Sequence, residues 1–267
     1  MTKIALSIAG VDPSGGAGVY ADIRAFSAFG VFPTAVITSI TFQNTQGVFG
    51  AAHQTAESVR RQAEPILDDY VLDAVKTGML PNREIIEEVA KLVGERGLRN
   101  FVVDPVVRST SGYDLIDNEA LKAMIEMLFP LSDLITPNIP ETERITGIAI
   151  TSERDIHDAA MIMHSQGARN VLIKGGHLDI GEGGNSKRSA RDYLFIGDRS
   201  TVIEGEFHDT TSTHGTGCTL ASAIAANLAL GSGVNESVEV AKKFVNEAIR
   251  TAPGIGKGNS PINIKAI

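Results

Sequence analysis

Ile4-Ala5-Leu6-Ser7-Ile8-Ala9-Gly10-Val11-Asp12-Pro13-Ser14-Gly15-Gly16-Ala17-Gly18 opens the chain with an apolar run, a glycine-rich turn and the start of a second apolar pattern. Residues 4–9 read as a buried strand and residues 17–29 as a helix, so the turn sits where a strand ends and a helix begins. The same unit recurs along the chain. Strands are expected at 34–40, 74–76, 100–104, 134–136 and 170–174, and helices at 57–68, 84–95, 118–128, 154–166, 219–230 and 236–251. Residues 192–197 and 201–207 read as an antiparallel pair joined around Asp198-Arg199. Such alternation predicts an α/β fold: a mostly parallel sheet with helices on both faces. Neither an internal repeat nor a long linker interrupts it, so one domain is expected over 1–267. Ligands of such sheets bind outside the carboxyl ends of the strands, where Asp12 to Gly18, Gln43, Asp104, Asn138, Lys174 and Cys218 all fall.

The charge sum is 24 − 32 = −8, which argues against nucleic acid or an anionic membrane as the main partner. It leaves nucleotides open, because a local group of N–H donors can hold phosphate on an acidic protein. The chain lacks tryptophan, so a base-stacking platform is not expected. One cysteine excludes an intrachain disulfide and fits a reducing compartment; with no signal peptide or membrane span in view, a cytoplasmic protein is expected. The histidines lack zinc-ligand spacing, and neither G-x-S-x-G nor G-x-x-x-x-G-K-[ST] occurs. Residues 181–185, with Lys187 and Arg188, read as a mobile surface loop, and 253–261 as a loosely wrapped tail.

Four motifs carry chemistry. Thr213-His214-Gly215-Thr216-Gly217-Cys218 runs into the apolar stretch 219–230, so glycines and a helix start form an anion cradle, and a thiol there is expected to shift toward thiolate. Val103-Asp104-Pro105-Val106 ends a strand with a carboxylate, either a solvated loop acid or a group linked to Mg²⁺. In Thr136-Pro137-Asn138-Ile139-Pro140-Glu141 the spacing favours a helix N-cap with a first-turn acid, over a metal–water contact. Lys174-Gly175-Gly176-His177 follows a strand; its lysine either neutralises phosphate or reaches solvent.

Taken in order, these motifs together with Ala9-Gly10-Val11-Asp12-Pro13-Ser14-Gly15-Gly16-Ala17-Gly18 and Lys76-Thr77-Gly78-Met79-Leu80 resemble the ribokinase-like small-molecule kinases. Within them, the hydroxymethylpyrimidine/phosphomethylpyrimidine kinases of thiamin biosynthesis are most similar. The resemblance spans almost the whole chain and implies a ribokinase-like three-layer sandwich. It also implies ATP and Mg²⁺ as cofactors, and a homodimer acting on 4-amino-5-hydroxymethyl-2-methylpyrimidine and then on its monophosphate. By the same resemblance, Gln43, Gly10, Asp22 and Val106 contact the pyrimidine, and Lys174, Asn138 and Thr216 face the nucleotide. Asp104 and Glu141 belong to the Mg²⁺ region, and Gly215 and Gly217 cradle the transferring phosphoryl group. Cys218 stands where most sugar kinases of this fold carry an aspartate base, which matches the pyrimidine branch. Gln43 favours pyrimidine over pyridoxal, leaving pyridoxal kinase as the alternative and a non-catalytic pyrimidine sensor as a weaker one. The fused thiamin-phosphate synthase domain of longer relatives is not expected here.

Overall fold

Alternate residues of each central strand go to opposite faces, and this period of two builds the layers. Leu6, Ile8, Val75, Phe101, Val103, Ile135, Val171 and Ile173 enter one apolar core, while Ala5, Ala74, Val102, Leu134 and Leu172 enter another. The computed structural model describes residues 1–108, 112, 114–176 and 189–265. The first core is closed by helices α2 (Ala56–Asp69), α3 (Arg83–Arg96), α4 (Asn118–Ala123), α5 (Ile139–Thr146) and α6 (Glu153–Ser165). The second is closed by α7 (Thr216–Ala229) and α8 (Val234–Arg250), together with Phe26 of α1 (Gly18–Ala28). The result is a three-layer α/β sandwich with a strand run buried on both faces.

The sheet has nine strands among the described residues: β1 (Ile4–Val11), β2 (Phe32–Asn44), β3 (Gly47–His53), β4 (Ala74–Thr77), β5 (Phe101–Val103), β6 (Leu134–Ile135), β7 (Asn170–Lys174), β8 (Ser189–Ile196) and β9 (Arg199–Glu206). Their order is β3-β2-β1-β4-β5-β6-β7-β8-β9. Pairing is parallel from β2 through β7 and antiparallel at both ends. The chain steps from β1 outward to β2, then returns to place β4 on the other side of β1. That reversal is a topological switch point, and the crevice beyond it is where ligands bind in open α/β sheets.

Three differences from the sequence reading have local causes. β3 was not expected; it is a short edge strand whose Phe49 faces solvent, so it shows no clear apolar face. The helix expected over 118–128 relaxes after α4 into a π-helical turn, Met124–Leu128, and ends at Pro130, which has no N–H to continue it. The tail is not loose. Asn259 N–H donates to Thr45 O at 2.8 Å, and Ile262 N–H to His214 O at 3.3 Å, so the C-terminus is pinned beside the first strands. His177 and the loop expected at 181–188 lie outside the described residues.

Candidate active site

A cavity of about 1140 Å³ opens over the carboxyl ends of β1, β4, β5 and β7. Every site residue predicted from sequence lines it except Asp22. The lining is mainly apolar with a few convergent polar groups, the usual make-up of a small-molecule site.

The anion cradle is built by backbone geometry. Gly215 caps α7 with φ +86°, in the left-handed region. A Cβ there would sit 1.9 Å from Gly16 O, so no other residue lets the two loops come this close. The first backbone bond of the helix runs from Thr219 N–H to Gly215 O at 2.9 Å, leaving the Gly217 and Cys218 amides ahead of it. Thr216 N–H turns back to Thr213 O. Amides placed in this way, at the positive end of a 14-residue helix, suit a phosphoryl group.

Across the cavity, Lys174 at the end of β7 donates to Asp104 Oδ1 at 2.9 Å and lies 4.0 Å from Glu141 Oε2. Asn138 caps α5 and Glu141 returns the bond, Asn138 N–H to Glu141 Oε2 at 2.8 Å, a complete capping box. The capping reading of this motif therefore holds for Asn138, while Glu141 does more than cap. It is buried, and burial pushes its carboxyl up to about 7; Lys174 and the amides of Asn138 and Val107 oppose that, and the nearby Asp104 adds to it. Burial likewise works against the Asp104 carboxylate, but Lys174, Lys76 and the Thr136 hydroxyl outweigh it and hold it below the usual range. With Lys76 hydrogen-bonded to Asp22, Lys174 is the ammonium placed between these two carboxylates, and the corner is short of positive charge. That donor set suits a Mg²⁺ ion that arrives on nucleotide phosphates and keeps several waters. Among the described residues no group of three or more His, Cys, Asp or Glu could hold a metal by itself.

Cys218 departs from the activated thiol expected from its place on a helix start. Burial pushes its thiol up to about 11; Lys76 and the Gly18 N–H work against the rise, and Asp104 and Asp22 add to it. Desolvation beside two carboxylates therefore overcomes the helix end. Asp22 needs a second correction. Its side chain is fully buried behind the cavity wall and accepts from Ser7 Oγ at 2.6 Å, Ser222 Oγ at 2.6 Å and Lys76 Nζ at 2.9 Å. It supports Lys76, which does line the cavity, and does not itself face a ligand. The motifs read from the sequence give Lys76 no role at the site; a lysine inside an apolar strand is the signal that marks it.

The remaining wall joins both ends of the chain. His214 Nε2 lies 2.7 Å from Asp12 Oδ2 and 3.3 Å from Gln43 Nε2. Asp12 also accepts from Ser14 N–H, the Ser14 hydroxyl and Ala17 N–H. Burial opposes its charge, but the His214 and Ser14 hydrogen bonds prevail and hold its carboxyl below the usual range.

Known proteins share this arrangement over nearly its full length. The family model described as phosphomethylpyrimidine kinase matches residues 12–263. A hydroxymethylpyrimidine/phosphomethylpyrimidine kinase of Bacillus subtilis is 42% identical over 259 residues, covering 97% of this chain and 93% of that protein. Among solved structures, an ADP complex of Bacillus subtilis pyridoxal kinase superposes with a TM-score of 0.88 at 35% identity, covering 100% of this chain and 98% of that one. A phosphomethylpyrimidine kinase of Clostridium difficile does so with a TM-score of 0.80 at 41% identity, covering 93% of this chain and all of that one. With a match that runs from Asp12 to Asn263, through every strand after the first, the chain belongs to the phosphomethylpyrimidine kinase family.

Proposed function

We propose that this kinase transfers the γ-phosphoryl group of ATP to the hydroxymethyl oxygen of 4-amino-5-hydroxymethyl-2-methylpyrimidine, and then phosphorylates the resulting monophosphate. The observation that carries the reading is Gln43, an amide that both donates and accepts, in one cavity with Lys174 and the head of α7. Relatives named for both phosphorylation steps support it.

Phosphoryl transfer asks the protein mainly to position groups and stabilise charge. The Gly217 and Cys218 amides face the transferring group, and Lys174 supplies a fixed cation on the nucleotide side. Mg²⁺ held through Asp104 and Glu141 would supply charge neutralisation on the nucleotide phosphates. Gln43, with Gly10 and the Val106 backbone nearby, orients the ring; Asn138 and Thr216 line the nucleotide side. With its thiol pushed up to about 11 by burial, Cys218 holds the acceptor hydroxyl in line and is not a resting base; as the new O–P bond forms and the bond to the ADP oxygen breaks, the hydroxyl proton leaves late, to an oxygen of the transferred phosphoryl group. The buried Lys76 ammonium offsets charge that develops on that oxygen.

A coupled ADP assay with the hydroxymethylpyrimidine, its monophosphate and pyridoxal side by side tests the proposal. The pyrimidines are expected to show the higher kcat/KM. Turnover of pyridoxal alone would favour the second reading, pyridoxal kinase, which the structural likeness to that enzyme supports. The same proposal includes one kinase domain over 1–267, a homodimer and a cytoplasmic location; sedimentation and fractionation test the last two. Among the described residues no helix is long and apolar enough to cross a membrane.

A further inference from the structure

His214 Nε2 faces two groups whose demands conflict. Asp12 Oδ2, at 2.7 Å, is a carboxylate oxygen and only accepts; Gln43 Nε2, at 3.3 Å, is an amide nitrogen and only donates. One ring nitrogen carries either a hydrogen or a lone pair. Asp12 is ionised, with three further donors on its oxygens, so the hydrogen sits on Nε2 and points to Asp12. The Gln43 nitrogen would then meet N–H with N–H. A second conflict lies at the other end of the amide. Thr41 Oγ1 has one hydrogen and two acceptors at 3.0 Å, Val11 O and Gln43 Oε1. Turning the Gln43 amide by half a rotation removes the N–H to N–H clash and moves the shared hydrogen from the Thr41 hydroxyl to the His214 ring, between two acceptors. His214 N–H then donates to Asp12 and to Gln43 Oε1, Gln43 Nε2 donates to Thr41 Oγ1, and Thr41 donates to Val11 O. The two ends of an amide have nearly the same shape, so partners decide its orientation.

We propose that the Asp12–His214 pair, with Thr41, locks the Gln43 amide with its carbonyl toward His214 and its amino group toward Thr41, and that this lock makes the pocket select a 4-aminopyrimidine over its 4-oxo counterpart. The inference rests on the aminopyrimidine reading given above. The edge of a 4-aminopyrimidine offers an accepting ring nitrogen beside a donating amino group. In the 4-oxo compound the ring nitrogen donates and the carbonyl accepts, so the pattern is reversed. A glutamine free to turn would match either edge and select neither. A locked one matches the oxo compound only if the ring turns over, which carries the hydroxymethyl group beside C4 away from the head of α7. Sites built to satisfy a hydrogen-bonding substrate can discriminate by as much as about 10⁴-fold. Asp12 and His214 act here through Gln43, as positioning residues.

Two measurements test it. In ¹⁵N-labelled wild-type protein, the His214 ring is expected to carry its hydrogen on Nε2; an unprotonated Nε2 overturns the lock whatever the substrate. In the second, kcat/KM is compared for the hydroxymethyl aminopyrimidine and its 4-oxo analogue. Asp12→Asn replaces a pure acceptor by a group that also donates, so His214 no longer has to donate. The amino-over-oxo ratio is expected to fall by about tenfold or more, with KM for ATP unchanged and recovery of the ratio in Asp12→Glu. An unchanged ratio in folded Asp12→Asn overturns the proposal. Should that variant not fold, Thr41→Val reads the same ratio, and an unchanged value there overturns it too. A wild-type enzyme inactive on the aminopyrimidine would sink the proposed function instead, while the ring measurement would still decide the lock.

Discussion

Lys76 Nζ lies 2.9 Å from Asp22 Oδ1, and neither side chain is exposed to solvent. The pair bridges β4 and α1 beside the topological switch point, and Ser7 and Ser222 complete the carboxylate's hydrogen bonds. Removing one member leaves a buried charge without its partner. Asp22→Ala is expected to destabilise the fold by about 3–5 kcal/mol, and the double change Asp22→Leu with Lys76→Met to recover a large part of the loss. Urea unfolding of the three proteins checks this; a loss under about 1 kcal/mol in Asp22→Ala would show that the pair is not needed for stability.

The lone cysteine can be titrated without interference from another thiol. With its thiol pushed up to about 11, alkylation of Cys218 by iodoacetamide is expected to accelerate up to the most alkaline pH the fold tolerates. An inflection near the free-thiol value of about 8.5 or lower would restore the activated thiolate. Cys218→Ala is expected to lower kcat about a hundredfold by misplacing the acceptor, with little change in KM for ATP. Near-normal turnover would remove Cys218 from the reaction.

Gly215 offers a test of the cradle. A methyl group there meets Gly16 O at 1.9 Å and needs a left-handed backbone at φ +86°. Gly215→Ala therefore has to push the head of α7 away from the first loop. Expected are a lower Tm and loss of most ATP turnover, while far-UV circular dichroism stays native-like. Retention of wild-type kcat and Tm would mean that the close approach is dispensable.

Lys174→Met leaves Asp104 and Glu141 facing each other without their cation. The Glu141 carboxyl, already near 7, then rises further. Between its ordinary value of about 4.5 and that raised value, the unfolded chain has lost a proton that the folded protein keeps, so stability falls as pH rises. The Tm deficit of the variant is expected to be larger at about pH 8 than at about pH 5.5. Equal deficits at both would refute the charge balance drawn for this corner. KM for ATP is expected to rise about tenfold or more, as a phosphate-facing cation is lost.

The layered sheet is legible because short apolar runs alternate with helical patterns along the chain, and the ends of those runs mark where glycines and polar groups cluster. The capping box was legible for the same local reason, since Asn138 and Glu141 stand three residues apart. What escaped the sequence reading was decided at a distance. Asp22 looked available for a ligand, yet its partners come from 15, 54 and 200 residues away. Cys218 looked activated because its own helix start says so, while the burial and carboxylates that oppose it belong to other elements. α7 begins at Thr216 and not at 219, because Gly217 in a first turn reads as loop when the packing behind it is unknown.

The contact of Gly16 with His214 and Gly215 also sets an order in time. A ribosome working from the amino end makes the first loop early and its counterpart only after some 200 further residues, on the order of ten seconds or more later at typical rates. Until α7 and α8 emerge, Ala5, Ala74, Val102, Leu134 and Leu172 lack most of their covering layer, with Phe26 of α1 the early contribution to it, and much of that side of the sheet stays wet. The nascent enzyme therefore carries an exposed apolar face and no phosphate cradle for most of its synthesis. The late helix α7 supplies the cradle and, with α8 made directly after it, closes that face, so completion of the core and onset of catalytic competence fall close together.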